Sequence, residues 1–343
     1  MSGAGRIERI DPGASIPGGE VVILCEDFEP SAVGASGCLF DGERGHMVAA
    51  STSRVMVIVP ETNFGGSVQA SLESNGECSE SKVFTVGTKL AEDLHPVTSP
   101  AFDPDDGALF VTRSGSRGQQ LPVTLFRIGT DGEVQEFSGD IINPTGIVFD
   151  PAGQMFVTSR MDGIVYRITP FKEAVVFAQN LGVATGIAFD RQGRMYVGDR
   201  TGTIYRINGI GEEQTWAQLE PSVSAYHLAF GPDDSLYVTG PTVSSHESVI
   251  RIDEHAVSTV FFQGLGRPQG LAFDREGNLY VAASLRGRRG IVRIKPDGSD
   301  AELFVAGMNV VGLAFSADGD MAVATNEAIY TLPLGIRGTL LES

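Results

Sequence analysis

Five segments of the chain are near-copies of one another: "TGIVFDPAGQMFVTSR", "TGIAFDRQGRMYVGDR", "YHLAFGPDDSLYVTGP", "QGLAFDREGNLYVAAS" and "VGLAFSADGDMAVATN". They begin at Thr145, Thr185, Tyr226, Gln269 and Val311, so successive starts lie 40, 41, 43 and 42 residues apart. A sixth, "SPAFDPDDGALFVTR", begins at Ser99, 46 residues before the first of these. A fixed period near forty restricts the chain to repeat architectures, in which each unit buries its apolar face only against its neighbours.

Each unit reads as strands. "GIAFD" is a short apolar run, fit for a buried inner strand, and the Asp, Gly and Pro residues after it suit a tight hairpin. "MYVGD" is a second strand. A third carries an apolar or aromatic residue followed by Arg and Ile, with Arg127, Arg167, Arg206, Arg251 and Arg293 in register. A fourth is variable, as in "EVQEFSG" and "STVFFQG". Four antiparallel strands per unit of about forty residues describe a propeller blade. The expected fold over residues 88–343 is an all-β, six-bladed propeller of four-stranded blades. The sixth unit shows three strands after Val311, so "TKLAEDL" at Thr88–Leu94 is expected to supply its outer strand and close the ring.

Residues 1–87 follow a different pattern. Several short alternating strands with turn signals predict a small β-sandwich, joined at "FTVGTKL" with almost no linker and hence at a fixed orientation. The three cysteines, Cys25, Cys38 and Cys78, all lie here, and none forms a CxxC pair. They read as half-buried thiols in a reducing compartment, with one unassigned bridge left open. The start "MSGAGRIERIDPG" has no apolar leader core, which points to the cytoplasm by default and to an extracellular place if a leader has been removed. No apolar run is long enough to span a bilayer. A net charge of −18 repels phosphate backbones and anionic lipids, so nucleic acid and membrane insertion are not expected.

The motifs "IDPGASIPGGEVVILCEDF", "CLFDG", "SRVMVIVPE" and "SKVFTV" resemble the IPT/TIG domain, an immunoglobulin-like (Ig-like) fold. In bacteria that resemblance implies a spacer or adhesion module. The Pro-x-Gly-apolar-Ala-x-Asp pattern of "NPTGIVFDPAGQMFVTSR" and "RPQGLAFDREGNLYVAAS" resembles NHL-repeat proteins and gluconolactonase-like propellers of the SMP/LRE family. The resemblance implies the propeller fold. For the gluconolactonases it also implies a metal held by Glu, Asn and Asp, largely from the position just before the inner-strand glycine. Here the matching positions are read as Ser99, Thr145, Thr185, Tyr226, Gln269 and Val311. None is a carboxylate, and a hard cation needs charged oxygen ligands. Asp199 is the nearest acid and is alone, so no cofactor is expected, and Ca or Zn enters only with a lactone or ester hydrolase of altered metal site.

Other catalytic patterns are thin. Of the five histidines (His46, His95, His227, His246 and His255), His227 stands where the other units have glycine. With Tyr226 beside it, His227 is the candidate general base, set against a plain space-filling role. Virginiamycin-lyase-like propellers pair such a His with an acid, and no second partner matches here. Arginines form the stronger pattern. At the ends of the second strands stand Arg113, Arg160 and Arg200, with Arg286 and Asn326 at the corresponding places of later units. With Thr145, Thr185 and Gln269 they make a candidate binding face for an anionic small molecule or a protein partner. The "RI" arginines are expected to be structural. The leading expectation is a non-enzymatic binding or scaffold protein. The alternatives are the hydrolase and a self-assembling surface or filament subunit. Oligomeric state is left open.

Overall fold

The inner strand of each repeat ends in Phe, followed by an acid in four of the six, and the acid makes the turn. Asp150 Oδ1 accepts hydrogen bonds from Ala152 N (2.9 Å) and Gln154 N (2.8 Å). Asp274 does the same for Glu276 N (2.9 Å) and Asn278 N (2.8 Å), and Asp190 for Gln192 N and Arg194 N. A carboxylate that satisfies two amide donors of its own turn fixes the hairpin between the first two strands.

The structure is a computed structural model that describes residues 4–30, 36–61, 65–96, 98–115, 119, 121–138, 141–243 and 247–339. It is all-β among these residues, and six four-stranded antiparallel units follow residue 87. The second unit, for example, runs Pro144–Phe149, Met155–Ser159, Ile164–Ile168 and Ala174–Ala178. The sixth is Val310–Phe315, Asp320–Thr325 and Ile329–Pro333, completed by Thr88–Ala91, which pairs antiparallel with Ile329–Pro333 as the sequence led us to expect. First strands lie side by side in cyclic order, the sixth beside the first. The arrangement is consistent with a β-propeller.

Aromatic residues lock the units together. The second-strand ring of one unit meets the inner-strand Phe of the next edge-on. Phe156 lies 5.3 Å from Phe189, Tyr196 5.0 Å from Phe230, Tyr237 4.8 Å from Phe273 and Tyr280 5.1 Å from Phe315, between centroids. Each also meets an outer-strand ring of its own unit, as Phe156 does Phe177 at 5.0 Å and Tyr196 does Trp216 at 4.8 Å. Such pairs add about 0.5–1.5 kcal/mol each beyond area burial. At the seam from sixth to first unit, Ala322 takes the aromatic's place and packs among Ala91, Val311 and Ile329.

The "RI" arginines are structural, each reaching a neighbouring strand or turn. Arg127 pairs with Asp106 (2.6 Å), Arg251 with Asp233 (2.8 Å) and Arg293 with Glu302, while Arg167 donates to Gln154 Oε1 (3.4 Å). The Gln214 amide accepts from Arg206.

Residues before 88 form two sheets over one core. Arg6–Asp11, Glu20–Glu26, Arg54–Ile58 and His46–Ala50 make one sheet, and Ala14–Ser15, Lys82–Val86, Gly66–Ser74 and Gly37–Phe40 belong to the other. Ile23, Phe28, Phe40, Val57, Leu72 and Phe84 fill the space between them. The thiols differ from the half-buried expectation. Cys25 and Cys38 are buried, Cys78 is exposed, and all three are free. Burial pushes the Cys38 thiol up to about 12.

This part is stitched to the fifth unit. Ala14–Ser15 runs parallel to both Lys82–Val86 and the outer strand Ala301–Ala306. Ile16 N donates to Ala306 O (2.9 Å), and Gly87 N to Ser15 O (2.8 Å). Gly19 is required at the contact, where a Cβ would come within 2.7 Å of Ala306 O. Arg288 pairs with Asp11 at 2.9 Å. The N-terminal sheet therefore covers an outer edge that would otherwise be open.

Two outcomes are expected. Phe156→Ala should cost about 3–5 kcal/mol in chemical denaturation, since it empties a fully packed aromatic site. Removal of residues 1–87 should lower the melting temperature and increase self-association, measured by thermal unfolding and light scattering, because the Ala301–Ala306 edge is exposed.

Candidate functional site

The inner-strand entrances and the ends of the second strands lie at one end of the ring, because first and second strands are antiparallel (Pro144 pairs with Ser159, Ala184 with Asp199). The positions that would supply metal ligands form instead a belt between units. Thr98 Oγ1 donates to Thr145 O (2.6 Å), as does Thr112 Oγ1 (3.1 Å). Thr145 Oγ1 bonds Thr158 Oγ1 (2.9 Å) and Ala184 O (3.1 Å), and Thr158 Oγ1 donates to Thr185 O (2.8 Å). Tyr226 N donates to Thr185 Oγ1 (3.0 Å), Thr239 Oγ1 to Gln269 O, and Gly270 N to Val311 O (3.0 Å). Leu313 N reaches Ser99 Oγ at 3.4 Å and completes the circuit.

The belt corrects the register of the first unit. Ala101 pairs with Phe110 and Val148 with Phe156, so Ala101 matches Val148, and Thr98, not Ser99, matches Thr145. Ser99 occupies the glycine position. Elsewhere that position needs glycine, because a Cβ on Gly146 would meet Thr185 O at 2.6 Å and one on Gly186 would meet Tyr226 O at 2.7 Å.

Thr145 and Thr185 are therefore buried and spent on the belt, and Gln269 Nε2 reaches Val310 O at 3.5 Å. Val311 is apolar and packed in the core. The Tyr226 hydroxyl donates to Glu220 O, away from the channel, and burial pushes it up to about 12. Asp199 is 3% exposed and accepts from Val183 N (2.8 Å), Thr201 N (3.2 Å) and the Thr201 hydroxyl. These residues do not fit a hard divalent cation, since the only acid is saturated and the neutral oxygens are engaged. Among the described residues no group of three or more His, Cys, Asp or Glu side chains could hold a metal.

Above the belt lie the arginines. Arg160 Nη2 donates to Gly115 O (3.3 Å), so it leans over the loop that follows Arg113. Burial, and then the charge of Arg200, hold its guanidinium below the usual value. Arg113 Nε is buried without a partner, as is Oδ1 of Asn143, whose carbonyl accepts from Arg160 N. None of Arg113, Arg160 and Arg200 forms an ion pair among the described residues. Arg286 is exposed at the tip of the Leu285–Arg288 hairpin, and Asn326 is exposed with its N–H on Asn309 O.

Beneath the belt the inner strands enclose a cavity of ≈320 Å³. Its wall is apolar, with Ala101, Val148, Ala188, Ala229, Ala272 and Ala314 from the six units in turn. Pro104, Pro151 and Thr339 border its far end, opposite the arginines. His227 lines it, 6% exposed, and its Nε2 has no partner. Desolvation lowers the imidazole to about 4. His46, His95 and His255 are exposed, and His246 lies outside the described residues.

The model for the strictosidine synthase-like N-terminal family matches residues 186–207, within the third unit. No curated protein matches the chain. Among solved structures, an auxiliary nutrient binding protein from Bacteroides thetaiotaomicron is similar over 95% of this chain and 97% of its own, at 15% identity and TM-score 0.56. A gluconolactonase from Xanthomonas campestris is similar over 71% of this chain and 87% of its own (16%, TM-score 0.57). Virginiamycin B lyase from Staphylococcus aureus is similar over 73% and 87% (18%, TM-score 0.51). These likenesses carry the fold alone. Solved neighbours thus include binding proteins and hydrolases, and they do not separate the two.

The His227 environment has a pH consequence. Its folded value lies near 4 and its unfolded value near 6.5, so the unfolded chain binds more protons between them. The stability contribution is complete above about pH 6.5 and falls by about 3 kcal/mol as pH drops toward 4. Denaturation midpoints across this range should therefore fall less steeply in His227→Phe than in the parent.

Proposed function

We propose that residues 88–343 close as a six-bladed NHL- and gluconolactonase-like propeller, that residues 1–87 are an Ig-like sandwich of the IPT/TIG kind, and that together they form a non-enzymatic binding protein. Its ligand is an anionic small molecule or the acidic tip of a protein partner, held by Arg113, Arg160 and Arg200. One observation carries this reading: among the described residues, three guanidiniums from three successive units form no ion pair in a chain of net charge −18, whereas three of the five in-register "RI" arginines pair with an acid and the other two with a Gln. Arg160 is partly buried and feels the charge of Arg200, which calls for an anion, and a planar fork matches carboxylate or phosphate. Unpartnered Arg113 Nε and Asn143 Oδ1 at the same end support it. The full-length similarity to a nutrient-binding protein is in keeping with this reading.

The test compares the parent with Arg113→Gln/Arg160→Gln/Arg200→Gln. Without anion the triple variant should melt no lower than the parent, because it loses an unpaired, partly buried charge cluster. Citrate or a short oligoglutamate should raise the melting temperature of the parent by mass action and leave the variant unmoved. Equal shifts in both proteins overturn the arginine reading. A saturable rise with Ca²⁺ or Zn²⁺, together with metal-dependent lactone turnover, would favour the hydrolase instead.

A further inference from the structure

The central cavity is independent of the arginine end and carries its own argument. Where the cavity meets the belt, six positions correspond in the pairing of the inner strands: Ser99, Gly146, Gly186, His227, Gly270 and Gly312, of which Ser99, Gly146, Gly186 and His227 line the cavity. Four have no side chain. The two that do come from the first and fourth units, which in a ring of six stand opposite each other. Both side chains line the cavity. His227 Nε2 is buried and has no hydrogen-bond partner. Among the described residues Ser99 Oγ has the long 3.4 Å contact from Leu313 N, in which it accepts, and its own proton can be donated.

Space-filling does not account for this pair. An aliphatic side chain would fill the glycine position of the fourth unit without an unsatisfied ring nitrogen, and a buried unsatisfied polar atom is destabilising by about 1–3 kcal/mol. Most of the wall is aliphatic or aromatic; of its two threonines Thr98 is spent on Thr145 O and Thr339 stands at the far end, and the one acid among the described lining residues, Asp150, accepts from Ala152 N, Gln154 N and the Gln154 amide. A volume of ≈320 Å³ lies at the lower end of small-molecule sites. An apolar tube with two hydrogen-bonding groups at its closed end selects on both counts.

We propose that the cavity is a second binding site, entered from the end away from the arginines, for an uncharged and largely apolar molecule of one or two rings that places a hydroxyl or carbonyl between His227 and Ser99. The wall excludes a carboxylate, which would lose its hydration with no cation to replace it. In the neutral imidazole, held in that state by burial, the unpartnered Nε2 accepts in one tautomer and donates in the other, so either polar group is recognised.

The experiment titrates the full chain with 1-naphthol, naphthalene and 1-naphthoate by calorimetry, and follows the imidazole ¹⁵N resonances of His227 by NMR. We expect 1-naphthol to bind roughly three- to tenfold more tightly than naphthalene, the worth of one or two neutral hydrogen bonds. The His227 resonances should move with 1-naphthol and scarcely with naphthalene. His227→Phe should bind the two probes equally, and Ser99→Ala, which removes only a hydroxyl, should narrow the difference. Equal affinity of both probes for the parent, or 1-naphthol binding that leaves the His227 resonances fixed, overturns the proposal. So does failure of both probes to bind, or 1-naphthoate binding that moves His227 as strongly as 1-naphthol does. The measurements on the parent and on Ser99→Ala decide the matter even if His227→Phe does not fold.

Discussion

No unit of this protein can bury its own second-strand aromatic alone. Phe156, Tyr196, Tyr237 and Tyr280 each need the inner-strand Phe of the next unit, and that dependence runs from one unit to the next. The threonine belt repeats the dependence in hydrogen bonds, since carbonyls at the inner-strand entrances are satisfied from the neighbouring unit. Most of what is chemically available on the inner strands is thereby consumed in holding the ring. Thr145, Thr185 and Asp199 are polar and central, and they are occupied. The loops beyond the second strands, and His227 at the glycine position of the fourth unit, stand outside this locking pattern.

Those residues divide the ring into two chemically unlike ends. On one side stand Arg113, Arg160 and Arg200, which form no ion pair among the described residues. On the other, the channel is lined by alanines and ends in a neutral imidazole and a hydroxyl. The belt lies between and is made of direct protein–protein hydrogen bonds. The arginines stand on loops after the second strands and the cavity wall on the inner strands, so the two ends are built from separate elements of the chain.

Much of this was legible in the sequence. The period near forty gave the strand count per unit. The Asp, Gly and Pro residues after the inner strands marked the turns, and "TKLAEDL" was recognisable as the strand missing from the sixth unit. His227 stood out because it broke a glycine column. Ser99 did not, because "SPAFD" is one residue shorter than "TGIVFD" and aligning on its start moved the first unit by one position. A one-residue slip exchanges the two faces of a strand, so Thr98 was overlooked and Ser99 was placed in the belt. Nor could sequence separate the two kinds of arginine by their partners. Asp106 and Asp233 meet Arg127 and Arg251 only once the hairpins have folded. The fate of the threonines was hidden for the same reason, since their partners are backbone carbonyls, which every residue carries.

The seam between the sixth and first units is built differently from the rest. It has Ala322 where the others have a ring, and its outer strand, Thr88–Ala91, comes from the opposite end of the propeller sequence. Five seams join neighbours in sequence and can form as the chain emerges from the ribosome. The sixth must wait, and so must the strand Ala14–Ser15, which finds its partner Ala306 only after five units exist. Ala14–Ser15 keeps an unpaired backbone edge until synthesis has passed Ala306, and Thr88–Ala91 until it has passed Pro333. An interrupted chain therefore announces itself by an open edge, and only the finished one conceals both.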